Sequence, residues 1–225
     1  MSNELECPSC GALSSPSLGA CPYCKSVLAP SKKIEKENPK VSAVKAYYSE
    51  GKLQEALFLG IKLWRENEKM KESANFLTIF AKTLFESEAY PAILNSVLAQ
   101  NQFLKAPSPA VNEIKRVVHA RARLEVGKND FGELQLKEII SDNPKSAYAH
   151  FTLGTHLYFV EKDLRAAIFH LEEAVKHHPN FLRAWGCLGA IYRGLNKPQL
   201  ATRAFKQAAK LETNKNMKKF FKDQI

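Results

Sequence analysis

Hydrophobic residues recur at intervals of three and four along most of the chain, with polar residues between them. In the stretch 182–215, for example, Leu188 and Tyr192 are followed by Phe205 and Ala208. This interval places apolar side chains on one face of an α-helix. Sustained alternation with β-branched residues is absent from the sequence, so we predict an all-α fold for residues 41–225.

The helical pattern also repeats over a longer period. Small or apolar residues occupy equivalent positions in five successive segments, spaced 37, 39, 35 and 34 residues apart: Ala56, Ile93, Gly132, Ala167 and Ala201. Pro144 and Pro179 close two of the segments, because proline supplies no amide to a helix. We therefore predict about five helix pairs followed by a capping helix. An irregular helical bundle is the alternative.

The C-terminal segment carries a motif that resembles a known repeat. The motif reads Trp185-x-x-Leu188-Gly189-x-x-Tyr192, followed by Ala201-x-x-x-Phe205-x-x-Ala208. It resembles the tetratricopeptide repeat (TPR), and Leu153-Gly154 in the preceding segment fits the same pattern. The resemblance implies a right-handed superhelical TPR solenoid in which the first helix of each pair lines a concave groove.

The resemblance also implies which side chains face that groove in the last two pairs. They are Tyr148, Phe151, Thr155, Tyr158, Phe159, Arg183 and Arg193. Aromatic rings offer large rigid contact surfaces, and arginine captures carboxylates. We expect a protein partner of acidic character, such as a peptide with an apolar anchor. About half of the aromatic residues are expected to be exposed, with the rest packed between pairs.

Four cysteines near the N-terminus form a second motif. Cys7-x-x-Cys10 and Cys21-x-x-Cys24 resemble a short zinc ribbon, and four thiolates suit a closed, structural zinc site. Iron in a rubredoxin-like cage and a redox dithiol pair are the alternatives. We assign residues 1–29 to this ribbon. Residues 30–40, which are charged and bounded by prolines, are predicted to be a flexible linker.

The net charge of +10 is concentrated at one end. From residue 176 onward, eleven lysines and arginines face only Glu212 and Asp223, a net charge of +9. Such a region attracts acidic partners. The chain is therefore either an adaptor that binds a protein or, alternatively, a nucleic-acid- or ribosome-associated factor using the ribbon and this basic end. A solvated cap without a partner explains the charge equally well.

Enzyme motifs are missing from the sequence. It contains neither a phosphate-binding loop nor a nucleophile elbow, and Cys187 stands alone in a predicted helix. We expect a protein that is not an enzyme, acting as an adaptor or scaffold. The sequence has no run of 18 apolar residues and no signal-peptide core at its start, so a cytoplasmic location is expected.

Overall fold

A computed structural model describes residues 38–88 and 91–225, together with the backbone of two short N-terminal strands. The strands, β1 (Leu5–Glu6) and β2 (Leu13–Ser14), pair in antiparallel fashion. Leu5 lies opposite Ser14, and Glu6 lies opposite Leu13. The chain divides into two units, Met1–Pro39 and Lys40–Ile225.

The second unit is built from α-helices. In chain order they are α1 (Pro39–Ser49), α2 (Leu53–Glu66), α3 (Ala74–Ser87), α4 (Pro91–Gln100), α5 (Pro109–Glu125), α6 (Asn129–Asp142), α7 (Ala147–His156), α8 (Leu164–His177), α9 (Leu182–Gly194), α10 (Pro198–Leu211) and α11 (Lys215–Lys222). Short 3-10 helices follow α2 (Glu68–Glu72) and α4 (Asn101–Phe103). A π-helical turn, Leu157–Glu161, extends α7. The prediction of an all-α fold is confirmed for the described part of 41–225.

Polar residues begin many of these helices. The side chains of Ser73, Ser108, Ser146, Asp163 and Asn214 each accept a hydrogen bond from a backbone amide in the first turn. Such caps satisfy amides that have no partner within the helix. The sequence therefore fixes where α3, α5, α7, α8 and α11 start.

A left-handed backbone residue separates the two helices of each pair. Among the described residues, five have a positive φ, between 51° and 78°: Gly51, Glu88, Gly127, Lys162 and Asn196. Each lies in the turn between α1 and α2, α3 and α4, α5 and α6, α7 and α8, or α9 and α10. Their spacing of 37, 39, 35 and 34 residues equals that of the small positions predicted from the sequence, five residues further on. The five-pair period is therefore present in the backbone.

Glycines allow close helix packing within the last two pairs. A Cβ atom on Gly189 of α9 would lie 2.6 Å from the Phe205 ring of α10, and one on Gly154 of α7 would lie 2.9 Å from Leu171 of α8. In the first part of the unit the contact differs, because Gly60 of α2 packs against Phe80 of the following pair. Close packing at a glycine of the first helix is thus found within the pairs α7–α8 and α9–α10.

The last helix, α11, covers the end of the core through one residue. Phe221 is buried, and its ring centroid lies 6.3 Å from that of Phe205. Met217 and Phe220 on the same helix are about half exposed. Among the described residues, no helix combines the length and apolar character needed to cross a membrane.

Candidate functional site

First helices of three successive pairs surround a cavity of about 380 Å³. Its walls come from α5, from α7 with the π-helical turn, and from α9. Four of the residues predicted to face a groove line it: Phe151, Thr155, Phe159 and Arg183. The structure thus brings together residues from two separate repeats of the sequence, as a shared surface of first helices requires.

The rim of the cavity carries exposed apolar side chains from the π-helical turn. Phe159 is 61% exposed and Val160 is 53% exposed. The turn follows α7 directly, and the amide of Asp163 closes it with a hydrogen bond of 3.0 Å to the carbonyl oxygen of Leu157. Isolated π turns are often found at functional sites. Here the turn holds two apolar side chains at the cavity mouth.

Arg121 and Arg183 line the polar side of the cavity, and both bond to the carboxylate of Glu88. Glu88 accepts hydrogen bonds from Arg121 and from Nη2 of Arg183, the latter at 2.7 Å. The Arg183 guanidinium also lies over the Phe151 ring, 4.8 Å from its centroid. Burial lowers the pKa of Arg183, an effect that the nearby Glu88 opposes. This arrangement holds the guanidinium in place.

One nitrogen of the Arg183 guanidinium makes no hydrogen bond. Nη1 of Arg183 is buried and has no hydrogen-bond partner. A buried donor without a partner costs about 1–3 kcal/mol. Arg183 as a whole lines the cavity, so this side of the cavity carries a cationic group.

The prediction that the Tyr148 side chain faces the groove is wrong. Its side chain is 7% exposed and does not line the cavity. Its hydroxyl donates a hydrogen bond of 2.7 Å to the buried carboxylate of Glu86, and its ring packs edge-on against Phe181. Tyr148 therefore belongs to the core between pairs.

Phe151 is packed in the core and also lines the cavity. It is 3% exposed, and its ring centroid lies 4.6 Å from that of Phe181. It is thus one of the predicted aromatic residues that pack between pairs, and it also lines the cavity. Phe181, the residue before α9, packs against both Tyr148 and Phe151.

Two further predicted residues lie outside the cavity. Tyr158 is half-buried and packs against Phe159, with 4.6 Å between ring centroids. Arg193 is exposed near the end of α9, with its guanidinium 5.7 Å from the Phe205 ring. The structure does not bring either side chain to the site.

Arg121 and Cys187 line the cavity but were not predicted to do so. Arg121 lies in α5, where the repeat pattern of the sequence is weaker. The sequence therefore did not show which residues of α5 would line a groove. Burial raises the pKa of the Cys187 thiol. A thiol held in its protonated form is a poor nucleophile, which agrees with a packing role for Cys187.

A polar network ties α1 to the later pairs. The buried carboxylate of Glu86 interacts with the hydroxyls of Tyr48 and Tyr148 and with Nε2 of His178, the last at 3.0 Å. Burial, and then the Glu86 charge, raise the pKa of both tyrosines well above the usual value. The side-chain amide of Asn180 adds a bond of 2.7 Å to the Ser49 carbonyl. These contacts join α1 to α3, to α7 and to the turn between α8 and α9.

The basic residues of the C-terminal end lie on the outer faces of α10 and α11. Arg203, Lys206, Lys210, Lys219 and Lys222 are all exposed. None of them lines the cavity between α5, α7 and α9. Charge and cavity are therefore two separate features of the same unit.

The predicted metal ligands Cys7, Cys10, Cys21 and Cys24 lie outside the described residues. The zinc site that their spacing favours stays a prediction.

Searches for related proteins give likenesses at the level of structure only. No protein-family model and no curated protein matches the sequence. A crystal structure of MamA matches with 21% identity and a TM-score of 0.41, covering 77% of this chain and 96% of that chain. A structure of MamA AMB-1 matches with 18% identity and a TM-score of 0.39, covering 77% and 95%. A further MamA structure matches with 20% identity and a TM-score of 0.39, covering 80% and 93%.

Proposed function

We propose that this chain is a scaffold that binds a partner protein in the cavity between α5, α7 and α9. The observation that carries the proposal is the combination of exposed Phe159 and Val160 with the Arg183 guanidinium around one cavity. Apolar surface rimmed by a fixed arginine is typical of protein-binding sites. The five helix pairs would form a right-handed superhelical TPR solenoid, with this cavity in its concave groove.

The chemistry of the cavity selects the partner. Phe159, Val160 and the floor formed by Phe151 would bury an apolar side chain of a peptide. Arg183 would receive a neighbouring carboxylate, because hydrogen bonds between a guanidinium and a carboxylate are among the strong ones. We therefore expect an extended or helical peptide with an apolar anchor and an acidic residue next to it. The proposed role is stoichiometric binding, without catalysis, in the cytoplasm.

We also propose a zinc ribbon in residues 1–29. Cys7, Cys10, Cys21 and Cys24 supply four thiolates, the donor set of a closed structural zinc site. So short a module has little hydrophobic core, so the metal would supply much of its folding free energy.

The experiment is affinity capture of the tagged full-length chain from its native cells. Three forms are compared: the natural sequence, Phe159→Ser, and Phe169→Ser as a matched control. Phe169 is 56% exposed on α8 and does not line the cavity, so its replacement removes the same chemistry from another face. We expect one or more proteins to be lost with Phe159→Ser and retained with Phe169→Ser. Equal retention by all three forms contradicts the proposal.

A second candidate function follows from the exposed lysines and arginines of α10 and α11. Together with the ribbon, they would bind the phosphates of nucleic acid, alone or in a ribosome. Each capture is therefore repeated after nuclease treatment and at several salt concentrations. Loss of all partners with nuclease, together with affinity that falls steeply with salt, favours the nucleic-acid function. Partners that survive nuclease favour the cavity.

A further inference from the structure

A buried histidine nitrogen without a hydrogen-bond partner faces two carboxylates. The side chain of His156 is 4% exposed, and its Nε2 atom has no hydrogen-bond partner. Nε2 lies 3.5 Å from Oε1 of Glu133 and 3.6 Å from Oε1 of Glu161. One ligand atom from each of the three side chains falls within 4.8 Å of the other two.

The π-helical turn creates this cluster. His156 and Glu161 are five residues apart, which in an α-helix would point them about 140° away from each other. The amide of Lys162 instead bonds to the carbonyl of Leu157, five residues back. This wider turn brings residues five apart towards the same face. It therefore places Glu161 beside His156, while Glu133 comes from the neighbouring helix α6.

Lys137 interacts with one oxygen of the Glu133 carboxylate and leaves Oε1, the oxygen nearest to His156, available to an ion. Its ammonium lies 2.8 Å from Oε2 of Glu133, the carboxylate oxygen that is not the closest to His156. The lysine thereby orients the carboxylate so that Oε1 points to the imidazole. Partners of this kind fix ligands in metal sites.

The distances fit a metal ion. Transition-metal bonds to imidazole nitrogen and carboxylate oxygen are about 2.0–2.2 Å long, which puts two tetrahedral ligand atoms roughly 3.4 Å apart. The separations of 3.5 and 3.6 Å from Nε2 therefore need little adjustment, and the carboxylate ligand atoms lie within 4.8 Å of each other. A nitrogen ligand favours zinc and similar transition metals over magnesium or calcium.

We propose that Glu133, His156 and Glu161 form a site for a divalent transition-metal ion such as Zn²⁺, with a fourth position open to water or a ligand. The ion satisfies the buried imidazole nitrogen and neutralises the two carboxylates. It also fixes the π-helical turn against α6, and so holds Phe159 and Val160 at the cavity mouth. The site does not depend on the proposed partner binding, since its ligands recognise the ion alone.

The test uses the full-length chain with all four N-terminal cysteines replaced by serine, which removes the predicted thiolate site. Zn²⁺ binding is measured by calorimetry, and Co²⁺ binding by visible absorption. We expect one equivalent of either ion, and a cobalt spectrum without thiolate charge-transfer bands. Glu161→Gln should weaken binding about 10–100-fold, as loss of a metal-site interaction does. Glu138→Gln, a change at an exposed position of the same α6, is the control and should leave the affinity unchanged.

Either of two results would overturn the proposal. One is the absence of saturable zinc binding to the serine variant, in which case no metal binds at this cluster. The other is equal affinity in Glu161→Gln and Glu138→Gln. Glu161 has a side chain that is 43% exposed, so its replacement leaves the core intact and the comparison does not depend on folding. His156→Gln, checked by circular dichroism, adds a third variant with the same expected loss.

Discussion

The hydroxyl of Tyr48 lies 2.8 Å from the hydroxyl of Tyr148, although 100 residues separate them in the chain. Both groups reach the same buried carboxylate, that of Glu86, and His178 completes the set. The first helix is thereby joined to the third and the seventh. A contact between elements so distant in sequence stabilises the whole unit, because it forms only when the intervening pairs have folded.

Tyr148→Phe tests this network. The change removes the hydrogen bond to the buried Glu86 carboxylate and the contact with the Tyr48 hydroxyl, and it leaves the ring packing in place. Bonds to charged groups contribute about 1.5–3 kcal/mol, so we expect the free energy of unfolding to fall by about that amount. Urea denaturation followed by circular dichroism measures it.

Tyr47→Phe is the matched control for that change. Tyr47 is the neighbour of Tyr48 on α1 and is 36% exposed. Its replacement should change stability by no more than about 0.5 kcal/mol, as is usual for surface positions. Equal effects at positions 47 and 148 would mean that the network contributes nothing to stability.

The close approach of α9 and α10 at Gly189 predicts that a larger side chain at this position lowers stability. Gly189→Ala places a Cβ 2.6 Å from the Phe205 ring, so the helices must separate or the ring must move. Overpacking of this kind costs about 1–3 kcal/mol. We expect a lower melting temperature in a thermal scan.

Gly194→Ala provides the comparison within the same helix. A Cβ at Gly194 would meet no atom within 4 Å. Since alanine is the better helix former by about 0.5–1 kcal/mol, this change should be neutral or stabilising. A loss of stability at Gly194 as large as that at Gly189 would show that steric contact with Phe205 is not the cause.

The sequence predicted the repeat well because the repeat depends on local patterns. Small residues such as Ala167 and Ala201 mark the second helices, and the backbone turns fall five residues before them. Polar caps such as Ser146 and Asp163 mark helix starts. Both patterns extend over only a few residues, so one amino-acid sequence is enough to identify them.

Burial of Tyr148 and Phe151 could not be predicted in this way. Helical periodicity shows which face of α7 they share, but it does not show what covers that face. Phe181 and Tyr48 cover it, and they lie 30 residues or more away along the chain. Such contacts depend on how successive pairs stack, which no local pattern records.

The sequence spacing indicates the extra residue of the π-helical turn but does not show where it lies. The spacing from Gly132 to Ala167 is 35 residues, one more than the 34 residues from Ala167 to Ala201. The structure places a widened helical turn within this interval, at Leu157–Glu161, and gives Lys162 the left-handed conformation. Spacing alone shows that a residue is extra. It does not distinguish a longer loop from a widened helix.

A histidine pair predicts sensitivity to acid. Nδ1 of His150 lies 2.9 Å from Nδ1 of His170, so one ring donates a hydrogen bond to the other. Burial, and then the charges of His150 and Lys137, lower the pKa of His170 to about 4, while Glu173 acts in the opposite direction. Burial also lowers the pKa of His150.

The direction of the effect follows from these pKa values. Between pH 6.5 and about 4 the unfolded chain binds a proton at His170 that the folded chain does not, so stability falls as the pH falls. His170→Gln should make that decline shallower in denaturation experiments across this range. His119→Gln, at an exposed position on α5, should leave the slope unchanged. A slope that is the same with and without His170 would contradict the assignment.

Photo-crosslinking from the cavity tests the proposed function most directly. A photoreactive phenylalanine analogue replaces Phe159 in one chain and Phe169 in another, and both are irradiated in native cell extract. We predict a specific crosslink to a protein from position 159, where the analogue stands at the cavity mouth, and none to that protein from position 169. A crosslinked protein that is the same from both positions, or that forms only from position 169, would contradict the account.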